Sequence, residues 1–193
     1  MWNDIVMHST QTNESKRIKN LVATYNMIAN LFWSALNLIP ISIFCYRHIS
    51  LKILVTFLII SLIPLFLPRS FFNSIQLAKT TSFYKKIGIG FINKFAQNGE
   101  FINRLIRKKF PGYKTVLPGK KSVNKLLAQT YMLEKFHSMM FLLFALIMVY
   151  ALMKNHLWWA VIILITNIIF NMYPNLLQQH IRIKLRTFQK RFQ

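Results

Sequence analysis

Two apolar runs stand back to back in this chain, residues 136–153 and 157–181, separated only by Lys154-Asn155-His156. Each approaches or exceeds the ~20 apolar residues that a helix needs to cross the ~30 Å hydrocarbon core of a bilayer. A polar tripeptide leaves room only for a reversal, so the pair predicts a transmembrane hairpin. Its second run also carries Asn167, Asn171, Asn175, Gln178 and Arg182, which fall within roughly 80° of arc at ~100° per residue. They form one polar stripe inside lipid. Hydrocarbon offers an amide no water to bond, so the stripe must face other helices, a ligand or a wet cavity. Its far end comes level with Glu134 and His137, which sit three residues apart where the first run begins. That meeting point is the candidate site.

Two further apolar runs, residues 21–46 and 49–68, bring the expected count of membrane spans to four. The chain is 54% hydrophobic and carries 25 Lys plus Arg against four acids. In a soluble domain such a balance would suggest nucleic acid, but here the bases are confined to the gaps between apolar runs and are pinned at a bilayer. The predicted fold is therefore all-α, a polytopic membrane protein of four transmembrane helices with a basic cytoplasmic loop of amphipathic helices. One membrane domain covers residues 21–185, with the loop at 69–135, after a lead-in over 1–20 and before a basic tail over 186–193. Four spans put both termini and the large loop on one side, and those segments hold 22 of the 25 bases, leaving Arg47, Lys52 and Lys154 opposite. By the positive-inside rule that side is cytoplasmic, which predicts a multi-pass cell-membrane protein with both termini inside.

Cys45 is the single cysteine, so neither a disulfide framework nor a multi-cysteine metal site is available, and its expected role is packing. Phosphate-binding, dinucleotide, nucleophile-elbow and zinc-protease motifs are all missing, and no metal or cofactor is expected. The first apolar run is too long for the core of a cleaved signal and lacks an obvious cleavage site, so it is expected to stay on the mature protein.

Residues 1–20 show no apolar period and are expected to be a mobile lead-in. In the first span Asn26, Asn30, Ser34 and Asn37 share one helix face, a second polar face expected to pack on the stripe of the fourth span. Pro40 would allow a kink or an early stop near the outer end, and Pro64 and Pro68 mark the cytoplasmic end of the second span. The loop interleaves Phe91, Ile92, Phe95, Phe101, Ile102, Leu105 and Ile106 with basic residues at helical spacing. Two short helices are expected, broken at Asn98-Gly99 and lying on an anionic leaflet. Turns at Pro111-Gly112 and Pro118-Gly119 follow, and a helix resumes near Ser122 and runs into the third span.

Glu134 and His137 at i and i+3 share a helix face, so the carboxylate could orient the imidazole to take a proton from a hydroxyl during acyl transfer. The plainer alternatives are an interfacial pair that marks the membrane boundary, or a structural tie to the amide stripe. The amide stripe is either glue between helices or a binding surface for a polar head such as a sugar, and Pro174 within it frees the carbonyl of Phe170. The loop's bases chiefly obey the positive-inside rule. For a phosphate-bearing donor such as a coenzyme A thioester, Arg104, Arg107 and Lys108 are the nearest candidates.

The order KKIGIGFINKFAQNGEFINRLIRKKFPG, then EKFH at the head of a span, then NMYPNLLQQHIRIKL at the end of the next, resembles the glycosyl-4,4'-diaponeurosporenoate acyltransferase family. The likeness covers about residues 83–185. It implies an enzyme that esterifies the sugar of a carotenoid glycoside with a fatty acyl group at the cell membrane, the closing step of staphyloxanthin-type pigment synthesis. Glu134 and His137 match the family's E-x-x-H, and Asn171, Tyr173, Pro174, Gln178 and Arg182 match its N-x-Y-P-x-x-x-Q and following arginine. Where the family continues with a basic residue, an aromatic and an asparagine, this chain has Gln179, His180 and Ile181.

The expected function is a membrane-embedded acyltransferase acting at the cytoplasmic leaflet on a hydroxyl of a glycosylated lipid or carotenoid. His137 and Glu134 would be catalytic. Asn167, Asn171, Tyr173, Asn175, Gln178, Arg182, Asn26 and Asn30 would bind substrate, and Arg104, Arg107 and Lys108 the donor. Membrane lipids, an acyl donor such as acyl-CoA and a glycosylated acceptor are the expected partners, nucleic acid is not, and a homo-oligomer is compatible. The competing reading is a small non-catalytic scaffold whose intramembrane amides associate with another helix. A minimal transporter fits less well, because four spans leave little room for repeat symmetry.

Overall fold

A computed structural model describes residues 2–91, 100–111 and 120–190, with side chains from residue 16 onward except at 100, 120 and 121. Helices alone supply the regular structure among these residues. In chain order they are α1 (Trp2–His48), α2 (Leu51–Ser61), α3 (Ile63–Phe66), α4 (Arg69–Ser74), α5 (Thr81–Lys86), α6 (Glu100–Lys109), α7 (Lys120–Met153), α8 (Leu157–Asn167), a π-helical turn (Ile168–Met172) and α9 (Tyr173–Gln189).

Three stretches are long and apolar enough to cross a membrane: Lys16–His48, Ser122–Met153 and Leu157–Gln189. The second expected span is shorter, Leu51–Phe66. At ~1.5 Å per residue it rises ~24 Å, less than the ~30 Å of an average hydrocarbon core. Its interruption at Leu62 has a local cause: Pro64 has no N–H to give the carbonyl of Ile60, so the α2 ladder closes with Leu62 N–H on Ile59 and Ile60. A one-turn α3 follows. The large apolar side chains left exposed, among them Leu31, Phe32, Ile39, Ile59, Trp158 and Ile165, are what lipid contact requires.

The hairpin forms as its sequence implies. α7 begins at Lys120, close to Ser122, and runs unbroken to Met153. Asn155 then adopts φ 59°, a left-handed conformation that asparagine tolerates better than most residues. His156 N–H closes on the Ala151 carbonyl at 2.8 Å. α7 is the central post of the structure, touching α2, α3, α4, α8, the π turn and α9. Near the hairpin turn its Phe144, Ile147 and Ala151 pack with Ile41 and Phe44 of α1 and with Ala160 and Ile163 of α8. Cys45 lies against this cluster, a packing role as expected. A second apolar cluster, Tyr84, Ile89, Leu176 and Leu177, closes the open end of the hairpin.

Two expectations change here. α1 is helical from Trp2, so the lead-in continues the backbone of the first span, and the helix runs to His48 through Pro40, where a kink or an early stop would cost little. α6 is amphipathic as expected, but its buried Ile102 and Ile106 belong to a helix packed on α1, so that apolar edge faces protein more than leaflet. Asn98-Gly99, Gly112 and Pro118-Gly119 lie outside the described residues.

Candidate active site

The open end of the hairpin is built on one ion pair. Glu134 of α7 and Arg182 of α9 are both essentially inaccessible, and the Arg182 guanidinium bonds the Glu134 carboxylate directly. The other carboxylate oxygen accepts from Gln179 Nε2 at 3.0 Å. Isolated charges are costly at this depth, so each must be paired and its remaining hydrogen-bonding capacity met. The rest of Arg182 shows how fully that is done. Its Nη2 donates to the Phe72 carbonyl at 3.2 Å, its Nε and Nη2 reach Gln76 Oε1 at 3.4 Å, and its Cζ lies 4.5 Å from the centroid of the Tyr131 ring.

Gln179 carries the network outward. Its Oε1 accepts from Tyr84 Oη at 2.9 Å and from Leu77 N–H at 3.3 Å. Burial holds the Tyr84 hydroxyl above the ordinary phenol range, which keeps it protonated as a donor. His180, also buried, lays its ring against Tyr84 at 5.8 Å between centroids. The segment from Arg69 to Lys86 is thus folded back over α9 by polar contacts as well as by the apolar cluster of Tyr84 and Ile89.

This arrangement corrects two expectations. Glu134 was expected to orient the His137 imidazole, but both of its oxygens are engaged by Gln179 and Arg182. Arg182 was expected to line an open groove, yet it is sealed with its donors occupied. The pair is a clamp between α7 and α9 and does not itself face a ligand.

One turn further along α7, His137 sits in different surroundings. It lies beside the Asn171 amide and the Phe170 carbonyl, but its Nδ1 is buried without a hydrogen bond of good geometry. The local backbone explains the exposed carbonyl. Tyr173 N–H bonds Ile168 five residues back, and Pro174, having no N–H, leaves Phe170 without its usual partner. The neighbouring amides are half satisfied. Asn171 Nδ2 donates to Asn167 Oδ1 at 3.0 Å, Asn167 Nδ2 to the Phe141 carbonyl at 3.1 Å, and Asn175 Nδ2 to Ser138 Oγ at 3.3 Å. Asn171 Oδ1 and Asn175 Oδ1 are buried with no partner. Besides His137 Nδ1, two amide oxygens of the stripe are thus buried without a hydrogen bond, Asn171 beside the imidazole and Asn175 one turn further on, beside Ser138.

The stripe of the fourth span is answered by α7. α1 meets this part of the fourth span through Trp33 and Phe170, ring centroids 6.0 Å apart. Asn26 is buried and Asn30 exposed, and both line a shallow hollow along α1 with Ala23, Met27, Leu31 and Ser34. Gln178 is buried and Tyr173 packs on the Tyr84 cluster. Arg104, Arg107 and Lys108 are exposed on α6. Gln179 was passed over, although it repeats the stripe four residues after Asn175. Gln76, Tyr84 and the Phe72 carbonyl come from about a hundred residues upstream and carried no local signal.

Membrane-length helices, a clamped buried ion pair and an imidazole among unsatisfied amides define a helical membrane protein with an intramembrane polar site. Residues 68–191 match the model of the glycosyl-4,4'-diaponeurosporenoate acyltransferase family, and the chain belongs to that family. It is an acyltransferase of carotenoid modification, a role that implies an acyl donor and a glycosylated carotenoid acceptor. The match begins at Pro68, just before α4, runs through α9 and contains the whole cluster, while Asn26 and Asn30 fall outside it. No curated protein and no solved structure matches the chain.

Proposed function

We propose that the chain esterifies a hydroxyl of a glycosylated carotenoid or related glycolipid at the cytoplasmic leaflet, with His137 as general base. The observation that carries this reading is the group of unpartnered atoms around His137. A buried acceptor left without a donor is costly, and Asn171 Oδ1, Asn175 Oδ1 and His137 Nδ1 together ask for an occupant rich in hydroxyl groups. A sugar supplies them. One hydroxyl beside His137 would lose its proton to the imidazole as its oxygen attacks the acyl carbonyl. The Asn175 amide, held to Ser138 only at 3.3 Å, is placed to turn toward the developing oxyanion. As the tetrahedral centre collapses, the bond to the donor breaks and the imidazolium returns its proton to the leaving group, so protons balance.

Glu134 and Arg182 act in this scheme as positioning residues. By tying α9 to α7 they set the register that brings Asn171 opposite His137 and Asn175 opposite Ser138. The orientation rests on the bases: the site lies at the end of the hairpin nearest the Arg69–Lys135 segment and the tail, which the positive-inside rule places in the cytoplasm. An inside location for both termini makes Leu51–Phe66 a fourth crossing, accommodated by local thinning of the bilayer. Substrate binding by Gln178, Tyr173, Asn26 and Asn30 is a lesser part of the proposal.

The test is transfer by purified protein in lipid nanodiscs supplied with glycosyl carotenoid and acyl donor, followed by mass of the product. His137→Ala should abolish transfer and Asn175→Leu should raise KM for the acceptor. Full transfer by a well-folded His137→Ala protein removes the base and the scheme with it.

A further inference from the structure

One turn from the clamp, on the side away from His137, three guanidinium groups gather on one uncharged side chain. Arg182 and Arg69 place Cζ 4.5 and 5.4 Å from the centroid of the Tyr131 ring, and Arg186 Nη2 donates to Tyr131 Oη at 2.6 Å and to Asn73 Oδ1 at 2.9 Å. Tyr131 Oη in turn donates to Asn73 Oδ1 at 2.7 Å. The only carboxylate paired here is Glu134, and it answers Arg182. Among the described residues the Arg69 side chain makes no hydrogen bond and that of Arg186 only those two through Nη2, so two positive charges converge there with no paired anion. Like charges this close repel, and the arrangement is held by a neutral phenol and amide that fix the forks without neutralising them. Arg69 is exposed and Arg186 half-buried, so the group is open to a ligand at the headgroup level.

We infer that Arg69 and Arg186, set on Tyr131 and Asn73, form a binding site for the phosphate group of the acyl donor. The inference rests on the acyltransferase reading above. Tyr131, Glu134 and His137 follow one another at three-residue steps along α7, about 120° apart around its axis from first to last, and six residues at ~1.5 Å place the phosphate end ~9 Å along the helix from the imidazole. Arg104, Arg107 and Lys108 stand instead on α6, which packs against α1. The same phosphate chemistry could come from a membrane glycerophospholipid, whose acyl ester lies a few bonds from its phosphate, or from a coenzyme A thioester, whose pantetheine arm would have to fold to cover so short a distance.

The experiment compares ligands with and without phosphate on the full chain in detergent: dioctanoyl phosphatidylglycerol against dioctanoylglycerol, and decanoyl coenzyme A against decanoyl pantetheine, by equilibrium binding. The wild type should prefer one phosphate-bearing member at least ~10-fold, and which pair shows the preference identifies the source. Arg69→Gln/Arg186→Gln should remove that preference, and Lys52→Gln/Lys154→Gln, exposed at the turn end, should keep it. Arg69→Gln alone, at an exposed position, repeats the test should the double variant fail to fold, and should weaken the preference several-fold. Absence of any phosphate preference in the wild type, or its survival in folded Arg69→Gln/Arg186→Gln, overturns the site. Transfer assays separate the two levels. Lost binding preference with no acyl transfer by the wild type keeps the anion site and removes the His137 scheme, whereas His137-dependent transfer with an unchanged donor KM in the arginine variants does the reverse.

Discussion

The two ends of the α7–α8 hairpin solve the same packing problem with different chemistry. At the turn end Phe144, Ile147, Ala151, Ala160 and Ile163 meet α1 chiefly through apolar surface, with one hydrogen bond from Tyr150 Oη to the His48 carbonyl at 3.1 Å. At the open end the same two chain segments meet through Glu134, Gln179, Arg182 and three asparagines. Within lipid, apolar contact between helices gains little from water exclusion, because the lipid tails are as apolar as the side chains. The turn end therefore depends on shape. The open end depends on mutual satisfaction of polar groups, which is strong where complete, as at the clamp, and leaves unmet capacity where incomplete, as at His137. That contrast separates support from chemistry within two turns of helix.

His137→Ala tests the chemical side of this contrast most severely. Transfer should fall roughly 10²–10⁴-fold, the range for loss of a general base, while thermal unfolding in detergent stays near wild type. A comparable loss from changes at the turn end would dissolve the distinction. Glu134→Ala should cost about 3–5 kcal/mol, since it strands a buried guanidinium, seen as a lower unfolding midpoint. The Glu134→Ala/Arg182→Ala pair should cost less than the sum of the single changes. Pro174→Ala returns an N–H to the Phe170 carbonyl. Transfer should drop roughly 10²-fold as the π turn tightens and moves the amides from His137, with stability unchanged or raised. Phe144→Ala, the turn-end counterpart, should cost roughly half or less of the ~3–5 kcal/mol seen in water-soluble cores, with transfer little altered. A Phe144→Ala effect larger than that of Glu134→Ala would reverse the comparison.

What the sequence disclosed divides along the same line. The hairpin, its asparagine turn and the resumption of α7 near Ser122 are periodic or local, and so were legible. The amide stripe was legible as a stripe, and Pro174 announced the freed carbonyl. The partner of Glu134 was not, because spacing on one helix favours His137 at i+3, whereas the charge of Arg182 and its burial decide the pairing. Gln179 was discounted as a departure from the family pattern although its position continues the stripe. Gln76, Asn73 and Tyr84 reach the site only because a segment outside the long helices folds back onto α9, a long-range event with no periodic signature. The shortness of Leu51–Phe66 has a visible cause in Pro64, but its length depends on where the ladder closes.

The clamp also bears on how the chain enters a bilayer. Arg182 ends a stretch that begins at Leu157, and translocon scales penalise a lone arginine within a helix by ~2.5–3.5 kcal/mol at mid-membrane. Its counter-ion stands on the preceding helix, already synthesised when the arginine emerges. Delivered singly, the later helix carries an unmatched cation; delivered with its predecessor, it does not. Biogenesis thus favours lateral release of the two helices as one unit, with the acid already waiting when the arginine arrives.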